Sequence, residues 1–456
     1  MWLHRAMPLI SSLAVRSYYR VTVGGAHLPA TGPVLVVANH NNSLVDPPLV
    51  VIAAGRTVRF LTKSPLFDDK AIGWLVAAVG SVPVYRQQDD PTKLAQNLDS
   101  FRDVHAALAK GDVVGIFPEG ITHSASSLAP LKTGAARIAF GASRSLGRAF
   151  PIVAMGLVFR DRDQFGSEAH VIVSEPLEWD DLVGAAETRG AVRELTARIE
   201  ASMRSVTLNL ARWEDEPLVR AAEQVWRAEF SGGPEAAEKL DRLRYTAEAL
   251  GALRDASTTE KSATDDSVTD WRATAGELRA HVKQLAALGL TPEKLKSKPP
   301  LSQSVRWTLA HLPLVLLLPL SLSGAVLFWL PKRITVRVAD KLTVAEGPEA
   351  LVTHRVLVGA VVFTLWFAIV AAAVWIFADW GWALIALLVQ PLWAYAALAV
   401  GDRGRVAWAT AKRFFLRRRE RTRLDALRAQ QQQLALRLRS LYQRVSDRVD
   451  DRISGT

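Results

Sequence analysis

The stretch Val34-Leu35-Val36-Val37-Ala38-Asn39-His40-Asn41-Asn42-Ser43-Leu44-Val45-Asp46-Pro47-Pro48 decides the fold. Its first five residues are aliphatic and Gly32-Pro33 bounds them, so they read as a short buried strand rather than a helix. Asp46-Pro47 then reads as a helix start, with Asp46 at the N-cap and Pro47 in the first helical position. A strand end, a polar turn and a helix N-terminus in succession place functional groups on the rim of an α/β sheet. His40 and Asp46 stand six positions apart. On a continuous helix they would lie roughly 240° apart, so they pair only if the chain turns between them. Asn41, Asn42 and Ser43 favour such a turn. A paired imidazole can take a proton from a hydroxyl while the carboxylate fixes its tautomer and supports the imidazolium.

Strand and helix patterns alternate on either side of this stretch. Residues 20–23, 58–62, 113–117, 152–159 and 170–173 read as further strands. Residues 48–54 and 72–79 read as helices, and Leu94, Leu98, Phe101, Val104 and Leu108 mark an amphipathic helix over 94–110. Gly134, Ala135, Ala136 and Ala139 give a small-residue helix over 133–143 that can pack closely. Three predicted strand ends carry polar groups: His40 with Asp46, then Arg86, then Glu119 with Gly120. Each alone is what a turn, a solvated charge or a cap would show.

Their order is more specific. Asn39-His40…Asp46, the Gly-rich segment 80–86 ending in Arg86, Phe117-Pro118-Glu119-Gly120…Ser124, and Phe150-Pro151-Ile152-Val153-Ala154-Met155-Gly156-Leu157 resemble, in sequence, the four blocks of the glycerophosphate acyltransferase family. The resemblance covers roughly residues 18 to 215 and looks closest to a microbial subgroup related to glycerol-3-phosphate acyltransferases. It implies an α/β acyltransferase domain, a mixed sheet flanked by helices. It also implies transfer of an acyl group from acyl-CoA or acyl carrier protein, as co-substrate, to a hydroxyl of glycerol-3-phosphate or 1-acylglycerol-3-phosphate in phospholipid biosynthesis. In that chemistry His40 is the general base and Asp46 orients it. Backbone N–H groups near Gly120 receive the oxyanion, and Glu119 positions the acceptor or holds the glycine turn. No metal and no cofactor are required. His123 reads as structural.

Two departures stand out. Five residues separate His40 from Asp46 where the family usually has four, and Thr122 occupies the place of the usual arginine after the third block's glycine. Lys63, Arg86 and Lys132 are then the candidate phosphate partners, Arg as a bidentate fork and Lys as a point charge. An inactive acyltransferase-like membrane scaffold, a lipid-binding protein and an acyltransferase that remodels another lysolipid are the competing readings. The His40/Asp46 pair favours an enzyme over the first two.

At 456 residues the chain exceeds one usual core. The expected layout is an amphipathic helix over 1–19, a catalytic domain over 20–215, a helical segment over 216–300, a membrane region over 301–400 and a basic helical tail over 401–456. The formal charge is +11, but from Asp402 onward there are 15 Lys+Arg against 6 Asp+Glu, so the remainder is near balance. That argues against a nucleic-acid partner. With no cysteine there is no thiol nucleophile, disulfide or thiolate metal site. Absence of cysteine and of a convincing signal peptide points to a cytoplasm-facing catalytic part.

Apolar runs over 309–330, 356–378 and 382–400 are each long enough to cross a bilayer, given that a span takes about 20 residues. The thioester donor and the arginine-rich tail both belong on the cytoplasmic side, which requires an even number of crossings. Lys332, Arg333, Arg337, Lys341 and Arg355 put a loop over 331–355 on that side too. The expectation is therefore a re-entrant or interfacial segment at 309–330, with Pro313 and Pro319. A transmembrane hairpin turning through Asp379-Trp380-Gly381 follows it, in an inner or plasma membrane. Residues 412–419 interleave cations with aromatics as at an anionic lipid surface, making membrane lipids the expected partner. Leu424, Leu427, Gln431, Leu434, Leu438, Leu441 and Val445 form a heptad seam, read either as a homodimer through this helix or as a helix lying on its own domain or on the membrane.

Overall fold

The computed structural model describes residues 15–69, 73–86, 91–183, 188–210, 213–230, 266–296 and 317–454, with residues 9, 12 and 13. Most of the helix expected over 1–19, residues 231–265 and 297–300 of the expected helical segment, and the stretch 309–316 of the first apolar run lie outside the described residues. The described chain divides into two compact units, one up to Trp213 joined by Glu346–Thr353, the other from Glu214 onward.

In the first unit the strands are β1 (Arg20–Gly25), β2 (Val34–Ala38), β3 (Val58–Lys63), β4 (Val82–Val84), β5 (Val113–Ile116), β6 (Ile152–Phe159) and β7 (Glu168–Val173). They form one mixed sheet in the order β1-β7-β6-β2-β5-β3-β4. β6, β2, β5, β3 and β4 run parallel, β7 is antiparallel to β6, and β1 is parallel to β7. The parallel strands therefore end on one edge, where Ala38, Lys63, Val84, Ile116 and Phe159 hand the chain to loops. The longer helices are α1 (Asp46–Ala54), α2 (Asn97–Ala109), α3 (Gly134–Leu146) and α4 (Arg189–Val206), and two short ones, Pro65–Asp68 and Gly73–Ala78, lie between β3 and β4.

β2 is central, and all five of its residues are buried, which is why it reads as an unbroken aliphatic run instead of an alternation. Leu35 and Val37 share a cluster with Val104 and Leu108 of α2, Ile138 and Phe140 of α3, and Leu195, Ile199 and Met203 of α4. By the strand period of two, Val34 and Val36 face the other side. α1 packs there against β3, β6 and β7. Trp179 is fully buried in the first face and donates its indole N–H to Phe150 O at 2.9 Å. Leu98, placed on the apolar stripe of α2 by its spacing, is 71% exposed. At roughly 100° per residue Leu98 lies about 120° round the axis from Val104, off the face that buries Ser100, Val104, Ala107 and Leu108.

The second unit contains α5 (Glu216–Phe230), α6 (Asp266–Ala287), α7 (Pro292–Lys296), α8 (Trp329–Glu346), most of α9 (Leu351–Phe377), α10 (Trp380–Arg419) and α11 (Arg421–Ser454). Leu424, Leu427, Gln431, Leu434 and Leu438 of α11 are buried. They face α5, α6 and α7, with Leu285, Leu290 and Leu295 among their neighbours. From Leu424 to Leu438 the seam is thus covered within the chain, the arrangement expected of a helix lying on its own domain. A heptad stripe shows that one face is apolar, not which helix covers it. Gln431, the polar position, donates to Glu229 Oε1 at 2.8 Å and Pro292 O at 3.2 Å, and its Oε1 lies 3.3 Å from His281 Nε2.

Two helices, Pro348–Phe377 and Trp380–Gly401, are long and apolar enough to cross a membrane. Asp379 joins them, its Oδ1 accepting the N–H groups of Gly381 and Trp382 at 2.7 and 3.1 Å. Gln390 reaches across to Phe367 O at 3.1 Å. The helices Leu317–Leu327 and Trp329–Val344 pass the same test only together, with a 48° bend between them. The expected loop over 331–355 is thus largely helix α8. Pro331 falls in its first turn, where a missing N–H costs nothing, and the next breaker is Gly347 at φ 103.

Gly156 in β6 lies where α4 ends, and a Cβ there would sit 1.6 Å from Val206 O. Gly156→Ala is expected to cost about 1–3 kcal/mol through overpacking, read as a lower midpoint in thermal or denaturant unfolding of the α/β unit.

Candidate functional site

Beyond Ala38 the strand continues in side-chain form. Asn39 exchanges two hydrogen bonds with Leu157 of β6, giving Nδ2–H to the carbonyl at 3.1 Å and receiving the N–H on Oδ1 at 2.7 Å. The next residue, His40, therefore leaves the sheet at a fixed point. Its Nδ1 lies 2.8 Å from Asp46 Oδ2, and the same oxygen accepts the Asn42 N–H at 2.7 Å. The longer spacing is taken up by Ser43, which adopts φ 45, and by the 3₁₀ turn Ser43–Val45. Asp46 is not the N-cap: it is already helical (φ -65, ψ -46), and its side chain turns back beneath the imidazole. Pro47 does stand in the first turn.

Asp46 is fully buried, while the His40 side chain is 20% exposed. A carboxylate only accepts, so Nδ1 carries the proton and Nε2 keeps its lone pair. The ring is also stacked on Phe117, with centroids 4.1 Å apart and planes at 15°. The turn is braced from below: Asn42 donates to the Tyr19 hydroxyl at 3.0 Å, and Tyr19 in turn donates to Arg162 O. Burial pushes the Tyr19 phenol well above its ordinary range, so it stays a neutral donor.

Glu119 is 2% exposed and fully engaged. Oε1 accepts the His40 N–H at 2.9 Å; Oε2 accepts the Ala129 N–H at 2.8 Å and meets His123 Nε2. His123 Nδ1 accepts the Ala125 N–H at 3.1 Å, which leaves its proton on Nε2, facing Glu119. His123 also donates its backbone N–H to His40 O at 3.2 Å. Of the two roles expected for Glu119, the geometry is that of holding the loops, and His123 shares it.

Gly120 needs its φ of 71, and its own N–H donates to Phe117 O at 3.1 Å. A tight turn consumes that hydrogen, so among the N–H groups near Gly120 it is not the one open to an oxyanion. Among the described residues, the next amide, Ile121 N–H, has no partner. Arg86 donates to Gly120 O at 3.1 Å, joining the second block to the third. Lys132 donates its N–H to Pro118 O at 2.8 Å, and its stem runs beside Gly120. Lys63 ends β3 opposite Val84, on the same edge but exposed. No group of three or more His, Asp or Glu that could hold a metal occurs among the described residues.

Sequence reasoning missed two contributors. Arg162, in the β6–β7 loop, donates from Nη1 to Asn41 O at 3.1 Å and Ser124 Oγ at 2.7 Å. Its only signal was a charged run, Arg160-Asp161-Arg162-Asp163, directly after a buried strand. The segment Glu346–Thr353, distant in sequence, joins this unit. Thr353 Oγ1 accepts the Leu44 N–H at 3.3 Å, and Glu349 Oε2 accepts from Ser124 Oγ at 3.4 Å. Nothing local announced it.

Residues 20–158 match the sequence model of the family described as Acyltransferase. The chain is 32% identical over 135 residues to glycerol-3-phosphate O-acyltransferase 2 of Saccharomyces cerevisiae, covering 29% of this chain and 18% of that protein. It is 28% identical over 137 residues to a chloroplastic 1-acyl-sn-glycerol-3-phosphate acyltransferase of Brassica napus, covering 30% and 38% respectively. The match thus spans well under half the length of either relative. A 1-acyl-sn-glycerophosphate acyltransferase structure from Thermotoga maritima aligns over 44% of this chain and 78% of that one, at 19% identity and a TM-score of 0.34.

Glu119→Ala leaves three donors facing a void. Hydrogen bonds to a charged group contribute about 1.5–3 kcal/mol each, and entering water recovers part. A loss of roughly 2–4 kcal/mol of stability is expected, with faster hydrogen exchange at the His40 and Ala129 amides. Glu119→Gln, which keeps one oxygen acceptor, loses less in the same measurements.

Proposed function

We propose, from the match of residues 20–158 to the acyltransferase family model, that this chain transfers a fatty acyl group from a thioester to a glycerophosphate hydroxyl. The donor is acyl-CoA or acyl carrier protein, and the acceptor is glycerol-3-phosphate or 1-acylglycerol-3-phosphate. The observation that carries the reading is the buried Asp46 on His40 Nδ1 at 2.8 Å, which leaves Nε2 as a base on a partly exposed ring.

In the step, Nε2 takes the acceptor hydroxyl proton as its oxygen attacks the thioester carbonyl carbon. The carbonyl electron pair moves onto oxygen, and Asp46 balances the imidazolium. Collapse of the tetrahedral adduct expels the thiolate, which takes the proton back from Nε2, giving ester and free thiol. The Ile121 N–H is the proposed oxyanion donor; such preorganised donors contribute roughly 3–4 kcal/mol each. Arg86, Lys132 and Lys63 place positive charge near the acceptor's phosphate. No covalent enzyme intermediate is needed.

The proposed setting is an inner or plasma membrane, with the catalytic unit on the cytoplasmic side where thioesters are made and the spans Pro348–Phe377 and Trp380–Gly401 as anchor. Acylated glycerophosphates partition into lipid, so an anchored enzyme keeps its product in reach.

Two measurements test this. His40→Ala is expected to lower transfer from palmitoyl-CoA at least a hundredfold with an unchanged melting curve, and Asp46→Asn to follow by letting the imidazole take the wrong tautomer. Near-normal turnover in His40→Ala excludes the base assignment. For orientation, the chain holds no cysteine, so Val344→Cys, at a position 88% exposed, is a single reporter. An impermeant thiol reagent added outside sealed cells is expected to leave it unlabelled, and labelling from outside overturns the two-crossing topology.

A further inference from the structure

We propose that Arg162 is the residue that recognises the acceptor's phosphate, ahead of the three cations Lys63, Arg86 and Lys132. The inference rests on the acyl-transfer reading above and names the specificity determinant of that site. Arg162 follows β6, whose C-terminal end shares the sheet edge with that of β2. A glycerophosphate presents its hydroxyl and its phosphate on a short carbon chain, so base and cation have to stand on one rim.

Arg162 is held there rather than merely nearby. Its carbonyl accepts from the buried Tyr19 hydroxyl, and the loop around it is closed by Gln164 N–H to Asp161 O at 3.2 Å and Asp161 N–H to Ser167 Oγ at 3.0 Å. Nη1 bridges the two loops that carry the reactive groups: Asn41 O, one residue from His40, and Ser124 Oγ, one residue from His123. Nε faces Asp163 Oδ1 at 3.2 Å, and that carboxylate is 48% exposed. Ser124 Oγ also reaches Glu349 Oε2, at a long 3.4 Å. Among the described residues, Nη2 donates to no one.

A guanidinium in a largely covered position with Nη2 unmatched can donate to an oxyanion from that nitrogen, and it forms the parallel two-nitrogen fork when the phosphate replaces the half-exposed Asp163 carboxylate on Nε. Arg162 is 21% exposed as a side chain, so its field is less screened than that of Lys63 or Lys132, both exposed. Arg86 already donates to Gly120 O. The third block carries Thr122 where the resemblance expects an arginine, and Arg162 brings a guanidinium to Ser124, two residues further along the same loop.

The test compares full-length wild type, Arg162→Gln and Arg162→Lys in lipid, with palmitoyl-CoA as donor. Lysophosphatidate and the corresponding monoacylglycerol serve as acceptors, and thermal melting serves as a folding control. Arg162→Gln is expected to raise KM for lysophosphatidate tenfold or more and to leave KM for palmitoyl-CoA unaltered. The preference for the phosphorylated over the unphosphorylated acceptor should fall by the same factor, and Arg162→Lys should recover part of it. A loop staple without phosphate contact would lower both acceptors together, and an unchanged acceptor preference overturns the proposal. If wild type acylates neither acceptor, the functional reading fails separately, and titration calorimetry with glycerol-3-phosphate still decides the site. Binding by wild type that Arg162→Gln loses supports it; equal binding, or none, overturns it.

Discussion

The site depends on one buried negative charge. Asp46 is removed from water entirely, a position a carboxylate holds only when charge-assisted donors replace its hydration. Two meet its Oδ2, the His40 Nδ1–H and the Asn42 N–H, while Oδ1 is buried with no hydrogen-bond partner among the described residues, and the first turn of α1 adds the positive end of a helix dipole. The demand propagates outward. To return under the ring the chain must put Ser43 at φ 45, a conformation non-glycine residues adopt rarely. Holding Asn42 in the turn then requires the Tyr19 hydroxyl from before β1.

A second imidazole–carboxylate pair stands beside the first with the opposite wiring. His40 gives its proton from Nδ1 and keeps Nε2 as acceptor; His123 accepts on Nδ1 and gives its proton from Nε2. One pair leaves a base facing outward, the other closes on itself. Glu119 ties the loops after β2 and β5 together through the His40 and Ala129 amides, while Arg86 ties the segment after β4 to Gly120. A parallel sheet edge gathers these loops, and charged groups then fix their spacing.

The second unit shows the same economy in polar groups. Gln431 lies in an apolar seam with both ends of its amide engaged, by Glu229, Pro292 and His281, which fixes the register of α11 against its neighbours. In the membrane-length helices Gln390 engages only one end of its amide, donating to a backbone carbonyl one helix away while its Oε1 is buried with no partner among the described residues.

Much was legible in the residues themselves. An aliphatic run bounded by Gly and Pro specifies a buried strand because both its faces are covered, and the β2, β6 and β5 runs met that condition. His40, Asp46, Glu119, Gly120 and Arg86 could be placed because turn chemistry at strand ends is local, and so could the two long apolar helices. What local pattern could not carry was partner choice. Whether Asp46 caps a helix or holds an imidazole, whether the Gly120 amide is open, and which helices cover the α11 seam are set by groups far along the chain. Arg162 and Glu349 reach the site only because β6 lies beside β2 and a segment over three hundred residues downstream of Leu44 folds back beside it. Hydrogen bonds are short and directional, so their pairing is decided by tertiary position, whereas burial and turn propensity are averages that a sequence already displays.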